Sequence, residues 1–305
     1  MTETVGVKSA AKSYGKVEAV RDVSLSLGEG EIIALVGHNG AGKTTLIKLM
    51  LGLIRPTAGS VRVLGEDPAA GEFEARRRLG YLPENVSFNM ALTGHETLNF
   101  YASLKGAARK QVSSLLERVG LGAAADRRVR TYSKGMRQRL GLAQALLGEP
   151  RVLLLDEPTT GLDPALRQSF YQIVQDLREE GATVLLSSHA LTEIEGRADR
   201  VVILDRGVKI ADGAIDELRR VSRLPTRIRV RFADGEARKA DHHMKQPAWR
   251  RINGHMLEAD ASPEEKIMLL RSAASEGASV ADIEVVPPTL DELYSHFLRE
   301  QERAR

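Results

Sequence analysis

The chain contains no cysteine. That excludes disulfides, thiolate zinc, iron–sulfur ligation and a cysteine nucleophile. Aromatic residues make up only 4% of its 305 residues, too few for a protein that stacks bases along RNA. No apolar run approaches the length of a membrane span. The opening Met1-Thr2-Glu3-Thr4 lacks the basic-then-apolar order of a signal peptide. Neither charge sign dominates: 44 Lys and Arg stand against 41 Asp and Glu, for a formal net charge of +3. So small a net charge leaves no polyanion footprint, and no nucleic-acid partner is expected. These absences predict a cytoplasmic chain that meets a membrane only through a partner. Its length suits two domains.

What is present is an alternation of short aliphatic runs with helical patterns. Ile32–Val36, Val152–Leu155, Thr183–Leu186 and Val201–Leu204 are apolar nearly throughout, as strands buried on both faces of a parallel sheet are. Helical stretches follow three of them, at Lys43–Leu53, Pro164–Glu180 and Leu191–Ala198. Asp163 before Pro164 reads as an N-cap with proline in the first helical position. Residues 93–147 carry helical periodicity and few strand signals, opened by the capping box Thr93 and Glu96. They predict a helical subdomain inserted into an α/β core. A boundary is expected near Ser222–Pro225, giving domains 1–221 and 222–305. Beyond it, Arg227–Phe232 alternates Arg with apolar residues, as a half-exposed strand does. Ser262 with Glu265 and Thr289 with Glu292 mark two helix starts, and Asp282–Val286 a further strand. The second domain is therefore expected to be a small α+β unit.

The strongest chemical signal is Gly37-His38-Asn39-Gly40-Ala41-Gly42-Lys43-Thr44-Thr45. It fits the phosphate-binding loop pattern and sits between a strand and a helix, where that pattern belongs. Glycines let successive backbone N–H groups turn inward onto phosphate oxygens, and the helix N-terminus adds partial positive charge. Lys43 would reach the β- and γ-phosphates, and Thr44 would ligate Mg²⁺. A second strand, Val152–Leu155, ends in adjacent carboxylates: Asp156 suits the metal shell and Glu157 the polarisation of an attacking water. Some twenty residues earlier, Ser133-Lys134-Gly135 opens a helix. Such a start can bind an anion, although a capping serine far more often serves only its own helix.

In this order the motifs resemble those of the ATP-binding subunits of ABC transporters, across residues 1–220. The resemblance makes Gly37–Thr45 the Walker A loop and Asp156 with Glu157 the end of Walker B. Ser133 and Gly135 become part of the signature motif, Gly161-Leu162-Asp163 the D-loop, His189 the switch histidine and Tyr14 the aromatic that stacks on adenine. It implies a RecA-like P-loop NTPase core with an antiparallel β portion and an inserted helical subdomain. ATP and Mg²⁺ are the implied cofactors, with Glu157 and His189 as catalytic groups. Two departures stand out. The signature reads Tyr132-Ser133-Lys134-Gly135-Met136, and Glu84 replaces the usual Q-loop glutamine as a metal ligand.

The resemblance also implies a working arrangement: two copies head to tail, each capping the other's ATP with Ser133 and Gly135, on the cytoplasmic face of the inner membrane, driving permease subunits. Val86, Phe88 and Met90 are candidates to receive a permease helix. Gly80–Phe88, Thr131–Pro158 and Pro288–Leu298 further resemble the NosF family, ATPases that serve copper-centre maturation of nitrous oxide reductase beside a periplasmic companion protein. The alternative within the class is a drug or lipid exporter ATPase. A soluble ABC protein on ribosomes or DNA is disfavoured, since there is one cassette and no heptad run. His242, His243 and Met244 are soft-metal ligand types, but their spacing matches no defined site and a solvated loop is the expectation.

Overall fold

The computed structural model describes residues 2–70, 73–233, 249–275 and 280–303. The chain divides into two compact units after Gly213. The first holds β1 (Glu3–Tyr14), β2 (Val17–Gly28), β3 (Ile32–Val36), α1 (Lys43–Met50), β4 (Ala58–Val63), α2 (Phe73–Arg77) and β5 (Leu79–Leu82). There follow α3 (Gly94–Lys105), α4 (Gln111–Arg118), α5 (Lys134–Leu146), β6 (Val152–Leu155), α6 (Pro164–Glu179), β7 (Thr183–Ser188), α7 (Leu191–Ile194), β8 (Arg200–Asp205) and β9 (Val208–Gly213).

Six strands form the central sheet in the order β5-β6-β7-β3-β8-β9. All neighbours are parallel except β8 and β9. Every residue of β3, β6 and β7 is buried, which is why these strands read as unbroken apolar runs. A second, antiparallel sheet runs β2-β1-β4. Its inward residues Val5, Val7, Val20, Val23, Leu25 and Leu27 join Leu46, Ile47 and Met50 of α1 and Ile33 and Leu35 of β3 in one core. Burying each such side chain contributes about 1.5–3 kcal/mol.

Parallel register is what assembles chemistry from distant sequence. Val36 pairs with Ser188 and Ile203, while Leu155 pairs with Leu82 and Leu186. The residues that follow these strand ends therefore emerge at one edge of the sheet, where α/β proteins bind their ligands.

The cap signals in the sequence are matched in space. Thr93 and Glu96 form a reciprocal capping box on α3, and Asp163 accepts the Leu166 N–H with Pro164 next to it. Two helices stop short of their patterns. The α1 helix ends at Met50 because the chain turns at Leu51–Leu53, with Gly52 N–H bonded to Leu49 O and Leu53 N–H to Lys48 O. The α7 helix covers only Leu191–Ile194 of the expected eight residues. Glu195 takes an extended ψ of 124°, and Arg197 stacks its guanidinium 4.2 Å from the Tyr171 ring centroid. Tertiary contact outweighs helical propensity there.

The second unit comprises α8 (Ile215–Ser222), β10 (Thr226–Phe232), β11 (Trp249–Asn253), β12 (Met256–Ala261), α9 (Lys266–Ser275), β13 (Val280–Val286) and α10 (Leu290–Arg303). The α8 helix falls on this side of the division, and its Arg219 Nε donates to Pro288 O at 2.9 Å just before α10. The four strands form an antiparallel sheet, β11-β12-β10-β13. Ile228, Val230 and Phe232 point inward to Leu257, Ala259, Leu269 and Ala273, and Arg227, Arg229 and Arg231 occupy the opposite face, as period-two alternation requires. His242, His243 and Met244 lie outside the described residues.

Candidate active site

The edge of the central sheet opens into a cleft of about 840 Å³. It is lined by Tyr14, His38 through Thr45, Glu84, Asp156, Glu157 and His189, together with Val17, Glu18, Ala19, Arg21, Thr160 and Arg206. The loop from Gly37 to Gly42 wraps one end of the cleft and leads directly into α1, so the helix N-terminus faces it. Gly42 has φ 104°, and a Cβ there would lie 2.5 Å from Ala19 O. No L side chain fits that conformation in that space.

The Lys43 ammonium is drawn back across the loop that precedes it, 2.6 Å from Gly37 O and 3.6 Å from Glu157 Oε1. Lys43, Asp156 and Glu157 are all buried. Charges are tolerated at such depth only when paired or hydrogen-bonded. Thr44 Oγ1 donates to Asp156 Oδ2 at 2.9 Å, and Ser187 Oγ donates to Asp156 Oδ1 at 2.6 Å. The same Ser187 oxygen accepts the Glu157 N–H at 2.9 Å, and the Asp156 N–H bonds Leu82 O at 2.8 Å. Thus Ser187 and Leu82 pin the backbone where the two carboxylates leave β6. Glu157 holds φ 48°, a left-handed conformation that costs a non-glycine residue about 1 kcal/mol or more. Its other oxygen, Oε2, lies 2.7 Å from His189 Nδ1. Burial first, and then the charge on Asp156, push the Tyr81 hydroxyl up to about 12.

An oxygen pair from Thr44 and Asp156, 2.9 Å apart on the cleft wall, is a hard donor set of the kind that suits Mg²⁺. Glu84 lines the same cleft and is exposed. Tyr14 sits on the lining about half exposed, with the Lys12 ammonium 5.3 Å from its ring centroid.

Ser133 and Gly135 are not brought to this cleft. Ser133 is exposed and accepts the Met136 N–H at 3.2 Å, capping its own helix. Lys134 lies against Gly161: a Cβ on that glycine would be 3.0 Å from Lys134 Nζ. Of the three apolar residues beyond Glu84, Phe88 is core, stacked edge-on to Tyr101 at 5.9 Å. Val86 is half-buried beside Gly141, and Met90 is exposed. Phe88 therefore leaves the set of permease-facing candidates. Sequence reasoning missed Ser187, Asp205 and Arg206. For Ser187 the signal was available, a polar residue ending an apolar strand two positions before His189.

Residues 20–160 match the ABC transporter family. The uncharacterised ABC transporter ATP-binding protein YdbJ of Bacillus subtilis is 42% identical over 203 residues, covering 66% of each chain. The doxorubicin resistance ATP-binding protein DrrA of Mycobacterium tuberculosis is 40% identical over 70% of this chain and 67% of its own. These matches thus span about two thirds of the relatives' length. The daunorubicin resistance ATP-binding protein DrrA3 of Streptomyces coeruleorubidus is 35% identical over 99% of this chain and 98% of its own. A solved structure of an ATP-binding subunit of an ABC transporter superposes with TM-score 0.67 at 33% identity, covering 72% of this chain and 92% of that one. Among the described residues, no helix is long and apolar enough to cross a membrane.

Proposed function

Since the chain belongs to the ATP-binding subunits of ABC transporters and is an ATPase that binds ATP, we propose that it powers an exporter of amphipathic drug-like or lipid-like molecules. The observation that carries this reading is the DrrA3 likeness over 99% of the chain, which includes the second unit and not the ATPase cassette alone. In this reading a homodimer of the subunit sits on the cytoplasmic face of the inner membrane, bound to permease subunits.

The geometry of the cleft supports the following roles. Backbone N–H groups of Gly40 through Thr45 and the Lys43 ammonium take the phosphates, and Tyr14 takes the adenine. Thr44 and Asp156, with Glu84 nearby, would hold Mg²⁺, which neutralises phosphate charge when bound. Glu157 draws the proton from the attacking water, and His189, 2.7 Å from Glu157, orients it. Ser133 and Gly135 lie away from the cleft of their own chain, which supports the reading that a second copy supplies the cap over the γ-phosphate. Hydrolysis then removes the contact that favours the closed pair.

The narrower reading, copper-centre maturation with a periplasmic companion, has none of the relatives named above behind it. One experiment separates the two. The subunit is co-purified from membranes with its permease and its ATPase rate measured with daunorubicin and with Cu(I). Stimulation of about twofold or more by the drug alone supports export. Stimulation by Cu(I) alone returns the copper reading.

A further inference from the structure

The phosphate loop has a flank that the mechanism above leaves unused. The turn between β8 and β9, Asp205-Arg206-Gly207, runs along it. The Gly207 N–H donates to Ala41 O at 2.9 Å, and Gly207 O accepts the Arg21 N–H at 2.7 Å. Leu204 O stands so close to Gly37 that a Cβ there would lie 2.6 Å away. On the same flank His38 presents both ring nitrogens to oxygen. Its Nδ1 is 2.6 Å from Asn39 O, and its Nε2 is 2.8 Å from Asp205 Oδ1. Asp205 itself is buried.

Neither oxygen can donate: a carbonyl only accepts, and so does an ionised carboxylate. A neutral imidazole has one N–H and can satisfy one of them. Both bonds form together only when the ring carries a proton on each nitrogen. The bond to Asn39 O also has a directional effect. In a trans peptide the N–H points opposite to the C=O. Holding Asn39 O toward His38 turns the Gly40 N–H to the other side, away from the ring.

We propose that His38 and Asp205 form a protonation-dependent tether that positions the phosphate loop, so that ATP is held more tightly when the His38 ring is doubly protonated. Asp205 is a positioning residue, acting through His38 on the backbone at Asn39. The proposal rests on the assignment of Gly37–Thr45 to the phosphates. Asp205 faces the ring from the hairpin, and Lys43 reaches the His38 carbonyl at 3.5 Å from α1. Arg206 and the Glu18–Arg21 pair, 3.3 Å apart, line the same cleft, as do Asp156 and Glu157. The His38 side chain is 43% exposed, so the effect is a matter of a few-fold.

The test measures KM for ATP and kcat from pH 6.0 to 8.5 in the full-length wild type, Asp205→Asn and His38→Gln. Comparison with His38→Gln removes the titration of ATP itself. In the wild type, KM is expected to rise with pH about fivefold more than in His38→Gln. Asp205→Asn, nearly isosteric, is expected to raise KM about fivefold at pH 6.0, keep kcat within about twofold and flatten the extra pH dependence. Two-dimensional NMR of histidine-labelled protein gives an independent reading. The His38 signal, identified by its loss in His38→Gln, should show protons on both ring nitrogens at pH 6.0. A neutral ring at that pH, or KM curves of wild type and Asp205→Asn that run parallel, would overturn the tether while leaving the phosphate assignment intact. A wild type that binds no ATP at any pH overturns that assignment, and the tether with it.

Discussion

The two units use charge in opposite ways. In the first, Lys43, Asp156 and Glu157 are buried together at one edge of a sheet, beside a cleft. Asp156 meets two hydroxyls, and Glu157 has Lys43 at 3.6 Å on one oxygen and His189 at 2.7 Å on the other. In the second, charges lie across a sheet face and close on one another. Glu258 accepts from Arg229 at 2.7 Å and from Arg250 at 2.5 Å, Arg229 also reaches Glu284, and Arg231 pairs with Asp282. Cross-strand pairs of this kind are a way to build a sheet. Buried charges gathered beside a cleft are a way to hold a ligand. Burial beside a cleft, more than charge count, separates site from scaffold.

The contrast is tested first at Glu157. Exchanging its carboxylate for an amide would remove the proposed base and the repulsion of phosphate at once. Glu157→Gln is expected to lower kcat about 100-fold or more while ATP stays bound. The absence of native cysteine gives a second readout: with Asn39→Cys and Lys134→Cys added, ATP should trap a disulfide-linked pair in the Glu157→Gln background. Retention of most turnover would remove Glu157 from the base role.

A smaller effect is expected one residue type further out. Ser187→Ala deletes the hydroxyl that serves both Asp156 and the Glu157 N–H. Loss of one hydrogen bond to a charged group, about 1.5 kcal/mol, corresponds to roughly a tenfold drop in kcat. Steady-state kinetics across a Mg²⁺ series would show it. An unchanged rate would mean that Thr44 and the strand end alone hold Asp156.

The smallest effect belongs to the second unit. Hydrogen bonds from Arg229, then from Arg250, hold the Glu258 carboxyl below its ordinary 4.5. A carboxyl lowered in the folded state adds stability that is present above that value and is lost as pH falls through the folded one. Glu258→Gln should therefore cost about 0.5–1 kcal/mol at pH 7, shrink that difference below pH 4, and leave ATP turnover unchanged. Thermal unfolding of the full chain at both pH values, beside an ATPase assay, checks all three statements.

Tyr14, His38 through Thr45, Glu84, Asp156, Glu157 and His189, expected together from the sequence, do line one cleft, and their motifs are local. The glycines of the loop, the paired carboxylates and the capping residues act within a few positions of themselves, and adjacent residues announce them. The sequence reading reached less of the second unit. Of its strands, β10 was legible as an alternating pattern and most of β13 as a strand, whereas β11 and β12 were not. Arg250, Arg251, Glu258 and Asp260 make that stretch polar, and only cross-strand pairing makes a sheet of it. The expected boundary at 221 and the division after Gly213 differ by the length of α8, whose amphipathic pattern does not say which unit it joins.

By itself, then, the sequence determined the fold class, the parallel core, the phosphate loop and the two carboxylates at the end of β6. Each depends on periodicity or on a conformation that neighbouring residues dictate. Tertiary structure alone decided that Ser187 bonds the Asp156 carboxylate and the Glu157 backbone N–H, that Asp205 meets His38, that Phe88 is buried, and that Ser133 lies apart from the cleft of its own chain. Those outcomes depend on register between strands far apart along the chain, and no local pattern carries that information.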